Sequence, residues 1–364
     1  MALEAKKYLY TQIYEDLKSK ISGGVFADGD FLPSEREIGE SYNVDRTTVR
    51  KALTLLASDG IIQKKPGAGS QVVGQDSPET SLDRDTVKSI AFFLPKSTRR
   101  THRISQPFYA ALFYRLEEEC RAHQHSLVYS VLDKDDDFSA VLDAGRYAGI
   151  VFVSNVARAF IDQAVSMRIP SVLINDYYPS VASIHTDNLY GMMLVCDHLI
   201  ELGHRHFGFI AGASDHLTSR ERMLACICSL GKAGLRIQDQ YLEETNWEPG
   251  EGFEAARKIL ARTPRPTAIV AFNDNHAMEC MQAISELGLR IPDDISVVGF
   301  DDLGQAQYTF PPLTTVHQHI RPMAKTAMQS LLTQIKNPED LYNIRLTTPC
   351  SLVLRDTTAP PRKE

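Results

Sequence analysis

Apolar residues recur at helical spacing near the start of the chain, with Leu9, Ile13, Leu17 and Ile21 on one face before Gly23-Gly24 ends the pattern. A turn-rich stretch follows, and Ser34 with Glu37 three residues on predicts a capping box that opens a second helix. Tyr42-Asn43-Val44-Asp45 breaks that helix, and Asp45 is positioned to cap a third one over residues 46–58. Val49, Leu53 and Leu56 form the apolar stripe of this third helix. Asp59-Gly60 closes it, and residues 61–65 and 70–73 read as two strands around Pro66-Gly67-Ala68-Gly69. Helix, helix, turn, helix, hairpin is the order of a winged helix-turn-helix.

Residues 74–87 carry no periodicity and are rich in Pro, Ser and Asp, the composition of a linker. From Lys88 the pattern changes to apolar runs separated by amphipathic segments of helical length. The runs lie at 90–94, 127–131, 150–153, 172–174, 207–211, 268–272 and 296–300. Such alternation predicts parallel sheets flanked by helices. So long a segment exceeds one comfortable sheet, so two α/β lobes with a cleft between them are expected. The predicted organisation is a winged helix-turn-helix over 1–74, a linker over 75–87 and a two-lobed domain over 88–364.

Composition narrows the class. With 43% hydrophobic and 23% charged residues, the 364-residue chain reads as an ordinary globular protein. No stretch approaches a membrane span, and the charged N-terminus lacks the apolar core of a signal peptide, so a cytoplasmic protein without membrane partners is expected. The six cysteines are scattered, Cys226 and Cys228 being the one close pair, which suggests reduced core thiols rather than a disulfide framework or a zinc ribbon. The net charge of −7 gives no sign of nucleic-acid binding. Its distribution does: Arg46, Arg50, Lys51, Lys64 and Lys65 crowd the second half of the N-terminal segment, against only Asp45 and Asp59. A local basic face is enough for phosphate contacts.

Residues 32–72 resemble the DNA-binding domain of the GntR family. The likeness rests on Leu32-Pro33-Ser34-Glu35-Arg36, Arg46-Thr47-Thr48-Val49-Arg50, Ala52-Leu53, Leu56, Gly60 and the glycine-containing wing. One departure is Gly67-Ala68-Gly69-Ser70, where the family usually has Gly-x-Gly-Thr before an aromatic. By this resemblance Arg46, Thr47, Thr48 and Arg50 face base edges from the first turn of the third helix. Arginine can hold guanine O6 and N7, and a threonine methyl can touch thymine. Arg36, Lys51, Lys64 and Lys65 are expected on phosphate. One such domain covers a half-site, so a dimer on a near-palindromic operator is expected.

The remainder is similar to the effector domain of the LacI family. The matching segments are His185-Thr186-Asp187-Asn188, His198–His204, Ser219-Arg220-Glu221-Arg222, Phe272-Asn273-Asp274, residues 291–302 and Pro311–Val316. A GntR-like head on a LacI-like body resembles regulators of the arabinose-repressor type. The resemblance implies a homodimer, and an effector, expected to be a sugar, held by Arg222, Asn273 and Asp301 between the aromatic faces of Phe108 and Trp247; Tyr177 and Glu248 are weaker candidates. Guanidinium, amide and carboxylate can each bridge neighbouring hydroxyls. Two further features stand out: Ala225 replaces a glycine common in relatives, and the first loop, residues 97–107, is long and basic. That loop is read as solvated, although it could reach an anionic ligand. The linker offers no candidate for the hinge helix that LacI-type proteins wedge into the minor groove.

Other chemistries find little support. His198, His204 and His206 lack zinc-helix spacing, and the latter two sit at a helix-to-strand turn. His317 and His319 share the face of a predicted strand but have no carboxylate or cysteine motif beside them. There is no phosphate-binding P-loop, no dinucleotide fingerprint, no nucleophile elbow and no lysine in a pyridoxal-phosphate setting, so neither catalysis nor a cofactor is expected. A transport solute-binding protein is the alternative from another class, and residues 32–72 argue against it.

Overall fold

A computed structural model describes residues 9–58, 61–65, 69–73, 88–97, 102–138, 141, 147–337 and 344–362. Contacts divide the chain into two units, Met1–Thr86 and Val87–Glu364.

The first unit contains α1 (Leu9–Ser22), α2 (Glu35–Tyr42), α3 (Arg46–Ser58) and the antiparallel pair β1 (Ile62–Lys65) and β2 (Gly69–Val72). Each boundary has a local cause. The Ser34 side chain caps α2 by accepting from the Glu37 amide, while the Glu37 carboxylate accepts from Ser34 N at 2.7 Å, completing the box. Asn43 ends α2 in the left-handed region at φ 51°. Asp45 Oδ1 accepts from Thr48 N at 2.8 Å and opens α3. Ile13, Leu17, Ile38, Val49, Leu53 and Leu56 interlock into one core with Ile62 and Val72. The segment before α2 pairs with β2 on its other side, through Leu32 N to Ser70 O and Val72 N to Asp30 O, so β2 is sheathed on both edges.

The second unit has two lobes. In the first, β3 (Lys88–Pro95), β4 (His125–Leu132), β5 (Tyr147–Val153), β6 (Ser171–Ile174), β7 (Ala182–Thr186) and β13 (Arg345–Thr348) form a parallel sheet in the order β13-β7-β6-β5-β3-β4. Alternate residues of β3 feed two cores. Ile90, Phe92 and Leu94 meet α4 (Pro107–Ala122) and α10 (Ile320–Lys336), and Ala91 and Phe93 meet α5 (Arg158–Ser166).

The second lobe is built on β8 (Phe207–Gly212), β9 (Leu242–Thr245), β10 (Ala268–Ala271) and β11 (Ser296–Val298), parallel in the order β11-β10-β8-β9. One face is covered by α6 (Asn188–Glu201) and α7 (Leu217–Lys232), and the other by α8 (Glu251–Leu260) and α9 (Asp274–Glu286). An antiparallel pair, β12 (Thr315–Gln318) and β14 (Cys350–Val353), continues this lobe beside β11 through bridges at Thr314 and His317. Because α10 and β13 pack into the first lobe, the chain passes between lobes three times: after Thr186, after Gln318 and after Thr348. The observed α/β class with parallel, helix-flanked sheets is the expected one.

Three expectations need correction. Cys228 is exposed, so the free thiols are not all in the core. A carboxylate does join the His317 pair: His317 Nδ1 lies 2.8 Å from Asp302 Oδ2, while His319 sits beyond the strand as the residue before α10. Among the described residues no cluster of the kind that holds a metal occurs. The first loop is not simply solvated, since Arg103 is buried in a 3-10 turn, Arg103–Ser105; residues 98–101 lie outside the described residues. The linker expected at 75–87 and the wing tip at 66–68 also lie outside them.

Candidate functional site

In the first unit, Arg46, Thr47, Arg50 and Lys51 project from the first turns of α3 and are exposed, with Thr48 half-buried. The side chain of Arg50 is held: its Nε donates to Glu35 Oε2 at 2.9 Å and Oε1 at 3.1 Å, which leaves the outer guanidinium nitrogens to the solvent side. Arg36 is 3.6 Å from Glu40, one turn along α2, and both are well exposed, so that pair adds little stability. Lys64 Nζ reaches Thr54 Oγ1 at 3.3 Å, and Lys65 is exposed at the end of β1. These cations therefore share one small unit, and Glu35 emerges as a residue the sequence reading did not single out.

In the second unit, Phe108, Arg222, Trp247, Asn273 and Asp301 all line one open cavity between the lobes, with about 520 Å³ of atom-free space when the solvent at its mouth is included. The positions follow from topology. Ser154, Asn175, Asn273 and Asp301 fall just beyond the carboxyl ends of β5, β6, β10 and β11, where open α/β sheets leave a crevice.

At the deep end lies Arg222, on α7 and 4% exposed. Its Nε donates to Asn188 Oδ1 at 2.9 Å, Nη1 to the Phe272 carbonyl, and the guanidinium stacks 3.6 Å over the Phe300 ring centroid. Asp301 Oδ1 stands 4.0 Å from Arg222 Nη2 and accepts from Gln318 Nε2 at 2.5 Å. Burial pushes the Asp301 carboxyl up to about 8 against the pull of Arg222, and burial raises its neighbour Asp274 to about 6. Asn273 spends its carbonyl as the α9 cap, accepting from His276 N at 2.7 Å, so its amide N–H groups are what it can offer a ligand.

The mouth is aromatic. Trp247 occupies the left-handed region at φ 64°, and its indole lies so close over Gly212 that a Cβ there would fall 1.8 Å from Cζ2. The His276 ring stacks on the indole at 5.9 Å and 8°. Phe108 meets Tyr109 edge-on at 5.5 Å, and Tyr109 Oη lies 3.2 Å from Ser154 Oγ.

The cavity also contains Gln106, Asn175, His216, Thr218, Asn275 and Gln318, which the sequence reading missed. Asn175 alone of these stands directly after an apolar strand run, and that position was its available signal. Asn175, buried at φ 57°, finds no partner for its Oδ1 among the described residues. Gln318 stands at a lobe crossover, taking a hydrogen bond from Thr186 Oγ1 at 2.5 Å while donating to Asp301. Of the weaker candidates, Tyr177 lies outside the cavity, 40% exposed, with the Arg345 guanidinium over its ring. Glu248 lines an adjoining cavity that shares Gln106, Trp247 and Asn275 with the first.

Comparison with known proteins agrees with both halves. Residues 9–72 match the model for bacterial regulatory proteins of the gntR family, and residues 196–358 match a periplasmic binding protein-like domain. Over 265 residues the chain is 31% identical to the HTH-type transcriptional repressor PurR of Photobacterium profundum, covering 71% of this chain and 77% of that protein. The chain belongs to the LacI family. A LacI family transcriptional regulator from Mycobacterium smegmatis superposes with a TM-score of 0.66 at 25% identity, covering 75% of this chain and 100% of that one. A LacI family regulator from Enterococcus faecium with bound ribose shares the fold, with a TM-score of 0.66 at 22% identity over 75% of this chain and 99% of that one. This LacI-family chain is thus a DNA-binding transcription regulator with a gntR-type head and a small-molecule effector domain, and the relatives it matches are regulators rather than enzymes. Among the described residues no helix is long and apolar enough to cross a membrane.

Proposed function

We propose that this protein is a cytoplasmic, homodimeric repressor whose hold on operator DNA is set by a sugar-like effector bound between its lobes. The observation that carries this reading is the convergence of Phe108, Arg222, Trp247, Asn273 and Asp301 on one cavity. Planar hydrogen-bonding groups at the bottom and aromatic faces at the mouth suit the hydroxyl edge and the C–H face of a sugar ring. The repressor name of the PurR relative and the ribose in the E. faecium structure support the same reading.

At the DNA, Arg46, Thr47, Thr48 and Arg50 read bases, and Arg36, Lys51, Lys64 and Lys65 neutralise phosphates. The dimer forms through the second unit, where Tyr308 and Phe310 leave 82% and 99% of their surface in water. Effector binding favours one arrangement of the lobes, and the dimer then holds its two heads at a different spacing. Such coupling is reciprocal: DNA changes effector affinity by the factor with which effector changes DNA affinity.

The test is the melting temperature against a panel of pentoses, hexoses, uronates and sugar phosphates. A ligand at about 100 times its Kd adds about 2.7 kcal/mol. A shift with one compound, abolished in Arg222→Ala and Asp301→Ala, supports the reading. No shift across the panel removes the sugar and directs the search to other small metabolites.

A further inference from the structure

Beside the effector cavity lies a second chamber, with about 780 Å³ of atom-free space when the solvent at its mouth is included. The two share Gln106, Trp247 and Asn275, so they are compartments of one cleft. Like the first, the second is walled by both lobes. Ser105, Gln106 and Pro107 come from the start of α4 and the turn before it, and Pro249, Met278 and Glu279 from the second lobe. Arg222, Asn273 and Asp301 line the first compartment alone, and Met278 and Glu279 the second alone. A ligand that meets both sets must therefore cross the junction.

Two features of that junction bear on what could cross it. Trp247 is a fixed wall, its indole seated over Gly212 and stacked with the His276 ring at 5.9 Å. The first lobe reaches this wall too, where Gln106 Nε2 donates to the Trp247 carbonyl at 3.5 Å. Asn275, the second residue of α9, has the opposite character. It is half-buried, and its side-chain amide makes no hydrogen bond among the described residues. Its neighbours on the helix are all engaged. Asn273 caps α9, Asp274 accepts from Leu303 N at 2.8 Å, and Glu279 accepts from Gly250 N at 2.6 Å and Gly252 N at 2.8 Å. An amide left open between two cavities offers both donors and an acceptor to whatever spans them. Beyond it, the second chamber sets Pro107, Pro249 and Met278 among polar side chains, a surface that suits the C–H faces and the hydroxyls of a sugar ring.

We propose that the second chamber is a subsite for a second sugar ring, so that the effector is a disaccharide whose glycosidic bond passes between Trp247 and Asn275. This rests on the reading of the first cavity as the effector site. The hydroxyls of one ring lie towards Arg222, Asn273 and Asp301. Asn275 takes the linking oxygen or a hydroxyl beside it, and the other ring lies against Pro249 and Met278.

The experiment is calorimetric titration of the full-length protein with matched sets: glucose, methyl glucoside, cellobiose and maltose; galactose, methyl galactoside, lactose and melibiose; xylose, methyl xyloside and xylobiose. One disaccharide should bind at least tenfold more tightly than its monosaccharide and than the methyl glycoside, which blocks the same anomeric hydroxyl without adding a ring. Met278→Trp fills the chamber from α9 and Ser105→Tyr fills it from the other lobe, and each should abolish most of that advantage. The comparison of ligands in the wild type needs neither variant to fold. A monosaccharide or methyl glycoside bound as tightly as every disaccharide overturns the proposal and leaves the effector-site reading standing, as does an advantage kept in full by both variants. Binding by no member of the panel overturns both.

Discussion

Two buried residues make opposite demands on their surroundings. Gly212 exists to be absent: with the Trp247 ring 1.8 Å from where its Cβ would be, Gly212→Ala must displace the indole or the strand. Overpacking of this kind costs about 1–3 kcal/mol. Trp247 is the single tryptophan, so its emission should shift to the red in Gly212→Ala, and effector affinity should fall with it. Asp301 makes its demand through a proton. With its carboxyl raised from 3.8 to about 8, the folded protein keeps a proton that the unfolded chain has already lost. Stability should therefore decline as pH rises from about 4 to 8, with Asp274 contributing up to about 6. Urea unfolding across that range should show a shallower decline in Asp301→Asn than in the wild type. An unchanged slope would mean that the carboxyl is ionised throughout.

At the scale of elements, legibility followed locality. The box of Ser34 and Glu37, the Asp45 cap and the apolar stripe of α3 were readable because every partner lies within a few residues. Ser34→Ala should cost about 1 kcal/mol, seen as roughly fivefold faster exchange of the first amides of α2. Strands β7, β9 and β13 were not read, each for a physical reason. In β7 the polar Ser183, His185 and Thr186 are buried, and Thr186 finds its partner, Gln318, only through tertiary structure. Strands β9 and β13 are sheet edges with largely open side chains, so no alternation marks them. The candidate site divided in the same way. Arg222, Asn273 and Asp301 came through resemblance to a family, whereas His216 and Gln318 needed the lobes brought together. Arg103 was misjudged because a basic loop sequence ordinarily means a solvated surface. On the DNA side, Lys64→Ala should weaken binding to all sequences alike and lower the salt slope by about 1, whereas Arg50→Ala should relax base preference. Titrating operator and scrambled DNA at several salt concentrations separates the two.

For the whole molecule, the crossover network matters most. Gln318 joins Thr186, at the first passage between lobes, to Asp301 on the cavity floor. Closure of the lobes around a ligand should thus be felt at the crossovers. Gln318→Leu keeps the bulk and removes both hydrogen bonds, and should weaken effector binding and reduce the effector's influence on DNA affinity. Parallel DNA titrations with and without effector check this. Full influence at normal effector affinity would remove Gln318 from the coupling.

The threefold passage between lobes also bears on how such a protein can be assembled in evolution. The head is contiguous from α1 to β2, so one cut in the connecting segment transfers it whole from one body to another. Neither lobe is contiguous: residues from both ends of the second unit complete the first lobe's sheet, and α10 covers its face. No single exchange of gene segments can trade one lobe for another without leaving a sheet short of its edge strand. Heads can therefore be shuffled among regulators, while the two lobes around the cavity must be inherited together and change ligand residue by residue.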